Sequence, residues 1–292
     1  MASFMRWTPK AAECNKRLMA IYSYTFSPTG TSAKILKGIL AGIIDNIDVE
    51  SVYSDLTKSG IDRKSFSSDD LMIVSAPVYG GKIAPLVKQR LEGISGDGTK
   101  CIVVAVYGNR AFEKAVNDLA GWLTERGFIV CGAAAFIGEH SYSTDTTPIA
   151  KGRPTQQDLS EARAFGTAIA ARLHDGTLRE IDTTHLEDEE SPAEFLKNFR
   201  NFVMEYQRQQ TESPKRYLPE IDATRCDQCG VCTDVCPTGA ISPDTLEVDP
   251  SKCIKCCACV KCCPNSARTL FTTFALPLSQ NFSTPKSPRW LI

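Results

Sequence analysis

The run "CIKCCACVKCCP", residues 253–264, sets six cysteines and a proline in twelve positions, and "CDQCGVCTDVCP" at 226–237 repeats the theme upstream. Soft thiolates at such density bind metal or carry electrons. Cys226, Cys229, Cys232 and Cys236, followed by Pro237, fit C-x2-C-x2-C-x3-C-P without an insertion. Cys253, Cys256, Cys259 and Cys263, followed by Pro264, fit it again. Eight thiols stand in register, and Cys257 and Cys262 beside them are redundant. At this spacing three thiols wrap three corners of a cubane iron–sulfur cluster, and the fourth of each run ligates the other run's cluster. One [4Fe–4S] cluster is therefore expected on Cys226, Cys229, Cys232 and Cys263, and a second on Cys253, Cys256, Cys259 and Cys236. Structural zinc more often joins two C-x2-4-C pairs across a longer gap, and fits less well. "CPTGAI" and "CPNSAR" after the fourth cysteines mark an internal duplication. Gly230 and Ala258 are read as the small residues where backbone must approach a cluster.

Ten of the thirteen cysteines fall within 226–263, leaving Cys14, Cys101 and Cys131 elsewhere. A disulfide framework would spread them through the fold. Cys101 and Cys131 sit in apolar runs and read as small buried hydrophobes. The 292 residues, 42% hydrophobic, suffice for one generous domain or two modest ones. A net charge of −1 gives no electrostatic footprint for nucleic acid and no polybasic membrane anchor. The N-terminus lacks a continuous apolar segment of the secretory kind, and no apolar run is long enough to span a bilayer. A soluble, cytoplasmic protein is expected.

The elements that must position these thiols lie upstream. "RLMAIYSYTF" (17–26), "VESVY" (49–53), "LMIVSAP" (71–77), "CIVVAVYG" (101–108) and "FIVCGAAAF" (128–136) read as strands. Between and after them, 32–45, 84–94, 111–127 and 157–173 carry helical patterns, with Gly127 as a C-terminal cap. Buried strands alternating with helices predict an α/β, doubly wound parallel sheet over 17–175, preceded by an extension over 1–16. Residues 176–216 read as a polar linker and a bridging helix with Phe195, Phe199, Phe202 and Tyr206 on one stripe. That stripe suits a helix covering core between two domains, or one that docks a partner. A small α+β two-cluster domain is expected over 217–270, and an irregular tail over 271–292.

Ligands of open α/β sheets bind at the carboxyl ends of the strands. The first strand ends in "FSPTGTSAK", where Ser27, Thr29, Thr31 and Ser32 offer hydroxyls and Gly30 permits the turn into a helix. Such a loop without Lys or Arg before the helix suits a phosphate monoester; it is neither a P-loop nor a dinucleotide turn. "SAPVYGGKIAP" (75–85) and "VYGNRAF" (106–112) place Tyr79 and Tyr107 with glycines at the next two strand ends, suited to a flat ring. "GEHSYST" (138–144) follows the fifth strand, and its His140 either moves a proton near that ring or is a plain polar loop residue.

Over 217 to about 270 the chain resembles bacterial two-cluster ferredoxins. "SPTGTS" resembles the phosphate loop of flavodoxins, with Ser32 in place of the usual Thr, and "PVYGG" and "YGNR" resemble their flavin-flanking loops. From 17 to about 270 it resembles the flavodoxin–ferredoxin fusion family found chiefly in anaerobes. That resemblance implies FMN, with its phosphate on Ser27, Pro28, Thr29, Gly30, Thr31 and Ser32. Around its ring would lie Pro77, Val78, Tyr79, Gly80, Tyr107, Gly108, Asn109 and Arg110. An iron–sulfur flavoprotein converting between one- and two-electron carriers is then expected, exchanging electrons with redox proteins or a small-molecule donor or acceptor. The alternative is an FMN-dependent reductase of a small molecule, fed by its own ferredoxin domain.

Overall fold

The computed structural model describes residues 20–292; the expected N-terminal extension and Cys14 lie outside the described residues. Five parallel strands form the body of a seven-stranded sheet: β1 (Ala20–Thr25), β2 (Glu50–Asp55), β3 (Leu71–Tyr79), β4 (Thr99–Tyr107) and β5 (Phe128–Ile137), with two short antiparallel strands added to it. Their order, β2-β1-β3-β4-β5, is the flavodoxin-like doubly wound order. Strands β3 and β4 are buried along nearly their whole length, as their unbroken apolar sequences require.

Alternate side chains feed two cores. Met72, Val74, Cys101 and Val103 face one side with α3 (Ala115–Thr124) and α2 (Pro85–Arg90). Leu71, Ile73, Ile102, Val104 and Cys131 face the other with α1 (Thr31–Ile44) and α4 (Gln156–His174). Cys101 and Cys131 are fully buried core residues, as expected, and burial pushes both thiols well above their ordinary range.

Two expectations are corrected downstream of residue 175. The linker is not a free polar connection: Leu178 and Leu186 are buried, and Ile181 N–H donates to the Val130 carbonyl at 2.9 Å. The tail is not irregular. It forms a helix, Ala275–Asn281, and then β6 (Arg289–Leu291), which pairs antiparallel with Ala133–Ala135 of β5 and caps that edge of the sheet. Trp290 packs on Phe165 of α4 at 5.4 Å between ring centroids. Pro and Ser signal irregularity locally, but the exposed edge of β5 offers an unpaired ladder that three residues suffice to fill.

The bridging helix α5 (Ala193–Glu212) has no fully buried residue. Its Phe199, Phe202 and Tyr206 join Phe274 and Phe282 of the C-terminal segment in one aromatic cluster. The helix therefore covers core, with the far end of the chain as its partner.

Asn109, expected beside a flavin ring, instead anchors the C-terminal segment. Its side-chain amide donates to the carbonyls of Phe282 (2.7 Å) and Thr284 (2.8 Å) and accepts from Lys286 N–H at 3.1 Å. It is 1% exposed. Replacing it strands buried backbone groups, so Asn109→Ala is expected to lower stability by about 1–3 kcal/mol. A lowered thermal midpoint together with faster proteolysis of the C-terminal segment checks this; an unchanged midpoint would contradict it.

Candidate functional site

The carboxyl ends of β1, β3, β4 and β5 open into a cleft of about 570 Å³. Ser27, Pro28, Thr29, Thr31, Ser32, Pro77, Val78, Tyr79, Gly80, Tyr107, Gly108 and Arg110 all line it. Of the residues expected there, Gly30 and Asn109 do not.

The loop after β1 is built to leave donors free. Gly30 takes φ +80° as the residue before α1 and has no side chain to cap the helix. Ser27 Oγ accepts from Ala33 N–H at 3.0 Å, and Ser27 N–H donates to Thr57 Oγ1 at 2.9 Å, which fixes the loop. The first-turn N–H groups of Thr31 and Ser32 and the positive end of the helix dipole remain for an anion, and the Thr29 and Thr31 hydroxyls, 3.5 Å apart, share one hydrogen bond and leave one proton to offer.

His140, for which the sequence leaves a role near the ring or a plain loop role open, lines the cleft. A Cβ on Gly108 would lie 2.3 Å from its ring, so only glycine lets the ring seat against the end of β4. Burial, reinforced by Arg110 and Lys261, lowers its pKa to about 4. Its Nδ1 accepts from Tyr142 N–H at 3.0 Å, which assigns the proton of the neutral ring to Nε2. His140 can thus offer a hydrogen bond at neutral pH but is not a charged acid. Burial also pushes Tyr142 up to about 12 and holds Tyr79 well above the usual phenol range, with the thiols of Cys256 and Cys257 adding to both.

The remaining walls come from segments with no flavin-loop signature. Phe199 and Val203 of α5 and Phe274 and Leu278 of the C-terminal segment form an apolar wall. Ile254, Lys255 and Cys256 arrive from the second cysteine block. Lys261 Nζ holds that block in place through the Ser143 carbonyl (2.8 Å) and Glu139 (3.3 Å), and Arg90 holds the first block through the Pro237 carbonyl (2.8 Å). Of these walls, the Phe199 stripe and the cysteine block carry a signal in the sequence, and Phe274 and Leu278 carry none.

The thiols ring two voids. Cys226, Cys229, Cys232 and Cys263 line one; Cys236, Cys253, Cys256 and Cys259 line the other, with Cys257 as a fifth thiol on its wall. These are the two crossed sets expected from the spacing. Among the described residues no three His, Cys, Asp or Glu side chains stand close enough for a single ion. The thiols are spread around each void, the disposition a cubane of iron and sulfide needs. Backbone amides support them: Ala240 N–H points at Cys236 Sγ and Ala267 N–H at Cys263 Sγ, both at 3.2 Å. Cys229 is exposed, whereas Cys256 and Cys259 are buried, so the first void faces outward and the second inward.

The two blocks repeat at a spacing of 27 residues. Asp222 caps Thr224 as Asp249 caps Ser251, and Asp222 N–H meets Ala267 O as Asp249 N–H meets Ala240 O. The repeat also aligns the turns before the two short helices. Gly230 (φ +76°) corresponds to Cys257 (φ +61°), not to Ala258. Cys257 thus fills a left-handed turn position that favours glycine, and its Sγ lies 3.7 Å from the Lys255 carbonyl.

A family model described as a 4Fe-4S binding domain matches residues 219–242, across the first block. No curated protein matches the chain by sequence. Among solved structures, a flavodoxin from the domain Archaea is similar at 16% identity, covering 53% of this chain and 99% of its own, with a TM-score of 0.41. A two-electron reduced Megasphaera elsdenii flavodoxin is 16% identical over 49% of this chain and 98% of its own (TM-score 0.34). An FMN-dependent NADH-azoreductase from Bacillus anthracis is 12% identical over 53% of this chain and 99% of its own (TM-score 0.37). The strand order gives the chain a flavodoxin-like doubly wound sheet, and the 4Fe-4S match lies downstream of it at residues 219–242. No helix among the described residues is long and apolar enough to cross a membrane.

Two measurements follow from this geometry. Cys257→Gly and Cys262→Ala are expected to keep the parent's iron content, whereas Cys256→Ala and Cys229→Ala lose iron; equal loss from all four would refute the register. His140 must gain a proton on unfolding below its ordinary pKa of 6.5 but resists it when folded, down to about 4. Stability should therefore fall as pH drops from 6.5 toward 4, by at most about 1.4 kcal/mol per pH unit from this residue. The slope in that window should flatten in His140→Gln; an unchanged slope would contradict the assignment.

Proposed function

We propose that the protein is an iron–sulfur flavoprotein that transfers electrons within one chain between two [4Fe–4S] clusters and FMN. Clusters supply single-electron transfer and a flavin exchanges one or two electrons, so the pair converts between the two kinds of carrier. The observation that carries this reading is that Cys256 lines both the inner thiol void and the cleft. The cluster held by Cys236, Cys253, Cys256 and Cys259 is then the one next to the flavin, and the cluster of Cys226, Cys229, Cys232 and Cys263 the outer one. The internal repeat supports a second cluster where the matched family model stops at residue 242.

The chain's own residues divide the work. Ser27, Thr29, Thr31 and Ser32 with the first turn of α1 bind the phosphate by donors alone. Tyr79 and Tyr107 stay neutral and flank the ring, and Nε2–H of neutral His140 offers it a hydrogen bond. Phe199, Val203, Phe274 and Leu278 keep water from that side. Partners for the outer cluster are other redox proteins, and the thiol and cluster chemistry calls for a reducing compartment, the cytoplasm.

The same apolar wall favours a second reading, a reductase whose small planar substrate lies between the flavin and Phe199. Turnover of the reduced protein separates the two: quinones, nitro compounds or free flavins oxidise it rapidly in the second, only redox proteins in the first. The parent proposal is tested by composition. Protein reconstituted without oxygen should hold about eight irons, eight sulfides and one FMN per chain; about four irons, or no flavin, would overturn it.

A further inference from the structure

The halves of the ferredoxin domain repeat each other, and at one buried position the repeat changes charge. Ile241 bridges antiparallel to Val248, and its counterpart Arg268 pairs with Ile221 in the same way. Ile241 lines the inner void and Arg268 the outer one. The two are 5% and 3% exposed. A guanidinium thus stands where the first repeat has a hydrocarbon.

Nothing in the polypeptide neutralises it. A terminal N–H of Arg268 donates to the Leu246 carbonyl, its Nε–H has no partner, and no carboxylate pairs with it among the described residues. Burying an uncompensated cation is strongly unfavourable unless an anion meets it. The groups around it are thiols of both sets. Its own backbone N–H points at Cys263 Sγ.

We propose that Arg268 is the built-in counter-charge of the cluster pair, a buried cation that stabilises the reduced clusters and holds their potentials up. This rests on the two-cluster reading above. A cubane ligated by four thiolates is an anion, and each one-electron reduction adds negative charge without a bond forming or breaking. A fixed positive charge in a low-dielectric interior favours the reduced state. The orphaned Nε–H is the donor such an anion would satisfy.

Three full-length variants test this: Arg268→Gln keeps donors without charge, Arg268→Ile copies the first repeat, and Arg268→Lys keeps the charge. Each is reconstituted without oxygen, iron is counted, and the clusters are titrated with dithionite under paramagnetic resonance detection. With iron at the parent level, the Gln and Ile variants should show an about tenfold lower reduced-to-oxidised ratio at fixed potential for at least one cluster. That corresponds to about 60 mV for a one-electron couple. Arg268→Lys should stay near the parent, and iron lost from Gln and Ile but kept by Lys would equally mark a need for charge. Shifts below about twofold in the Gln and Ile variants with full iron, an equal shift in Lys, or iron lost from all three alike would overturn the proposal. A parent holding about four irons would sink the two-cluster reading itself.

Discussion

Cys256 belongs to two walls at once, that of the inner thiol void and that of the cleft over the flavodoxin-like sheet. Every larger feature of the molecule serves that shared wall. The sheet order opens the cleft at the carboxyl ends of β1, β3, β4 and β5, and Lys261 and Arg90 tie one cysteine block each to the sheet domain. Ile254, two residues before Cys256, packs into the core on the cleft side of the sheet. The register between the domains is thus set by a few polar contacts around one apolar plug, which fixes which thiol set faces the cleft.

The ferredoxin domain has little else to hold it. Its core consists of Cys232, Ile241, Leu246 and Cys259, two of which are thiols of the expected ligand sets. So small a core cannot offset the chain entropy of some fifty residues, and in such domains metal binding supplies folding free energy directly. The C-terminal segment works differently. It returns across the flavodoxin-like domain, is gripped by Asn109, closes the aromatic cluster with α5 and ends as an edge strand. Domain packing therefore rests on aliphatic and aromatic contacts, while order inside the ferredoxin domain rests on its sulfur atoms.

Much of this was legible in sequence, because periodicity and spacing are local. Three of the strands, β3 to β5, fall on apolar runs, β1 and β2 fall on β-prone stretches, and the crossed thiol sets follow from the cysteine spacing alone. The parts that escaped are those decided by contacts between distant segments. Nothing local to "FALPLSQN" or "RWLI" says that one covers a cleft and the other completes a sheet. Asn109 sits in a flavin-like loop, but its amide is spent on carbonyls more than 170 residues away. Cys257 and Arg268 become meaningful only when the repeat is aligned in space, where one replaces a glycine and the other a hydrocarbon.

The central claim is that two clusters lie in file, with the inner one beside the flavin. Iron-edge anomalous scattering from crystals grown without oxygen, with FMN bound, tests it most directly. The account predicts two compact iron peaks, one within Cys226, Cys229, Cys232 and Cys263, the other within Cys236, Cys253, Cys256 and Cys259 and nearer to a planar ring in the cleft. A single peak, iron bound by Cys257 or Cys262, or a ring lying closer to the outer set would contradict it.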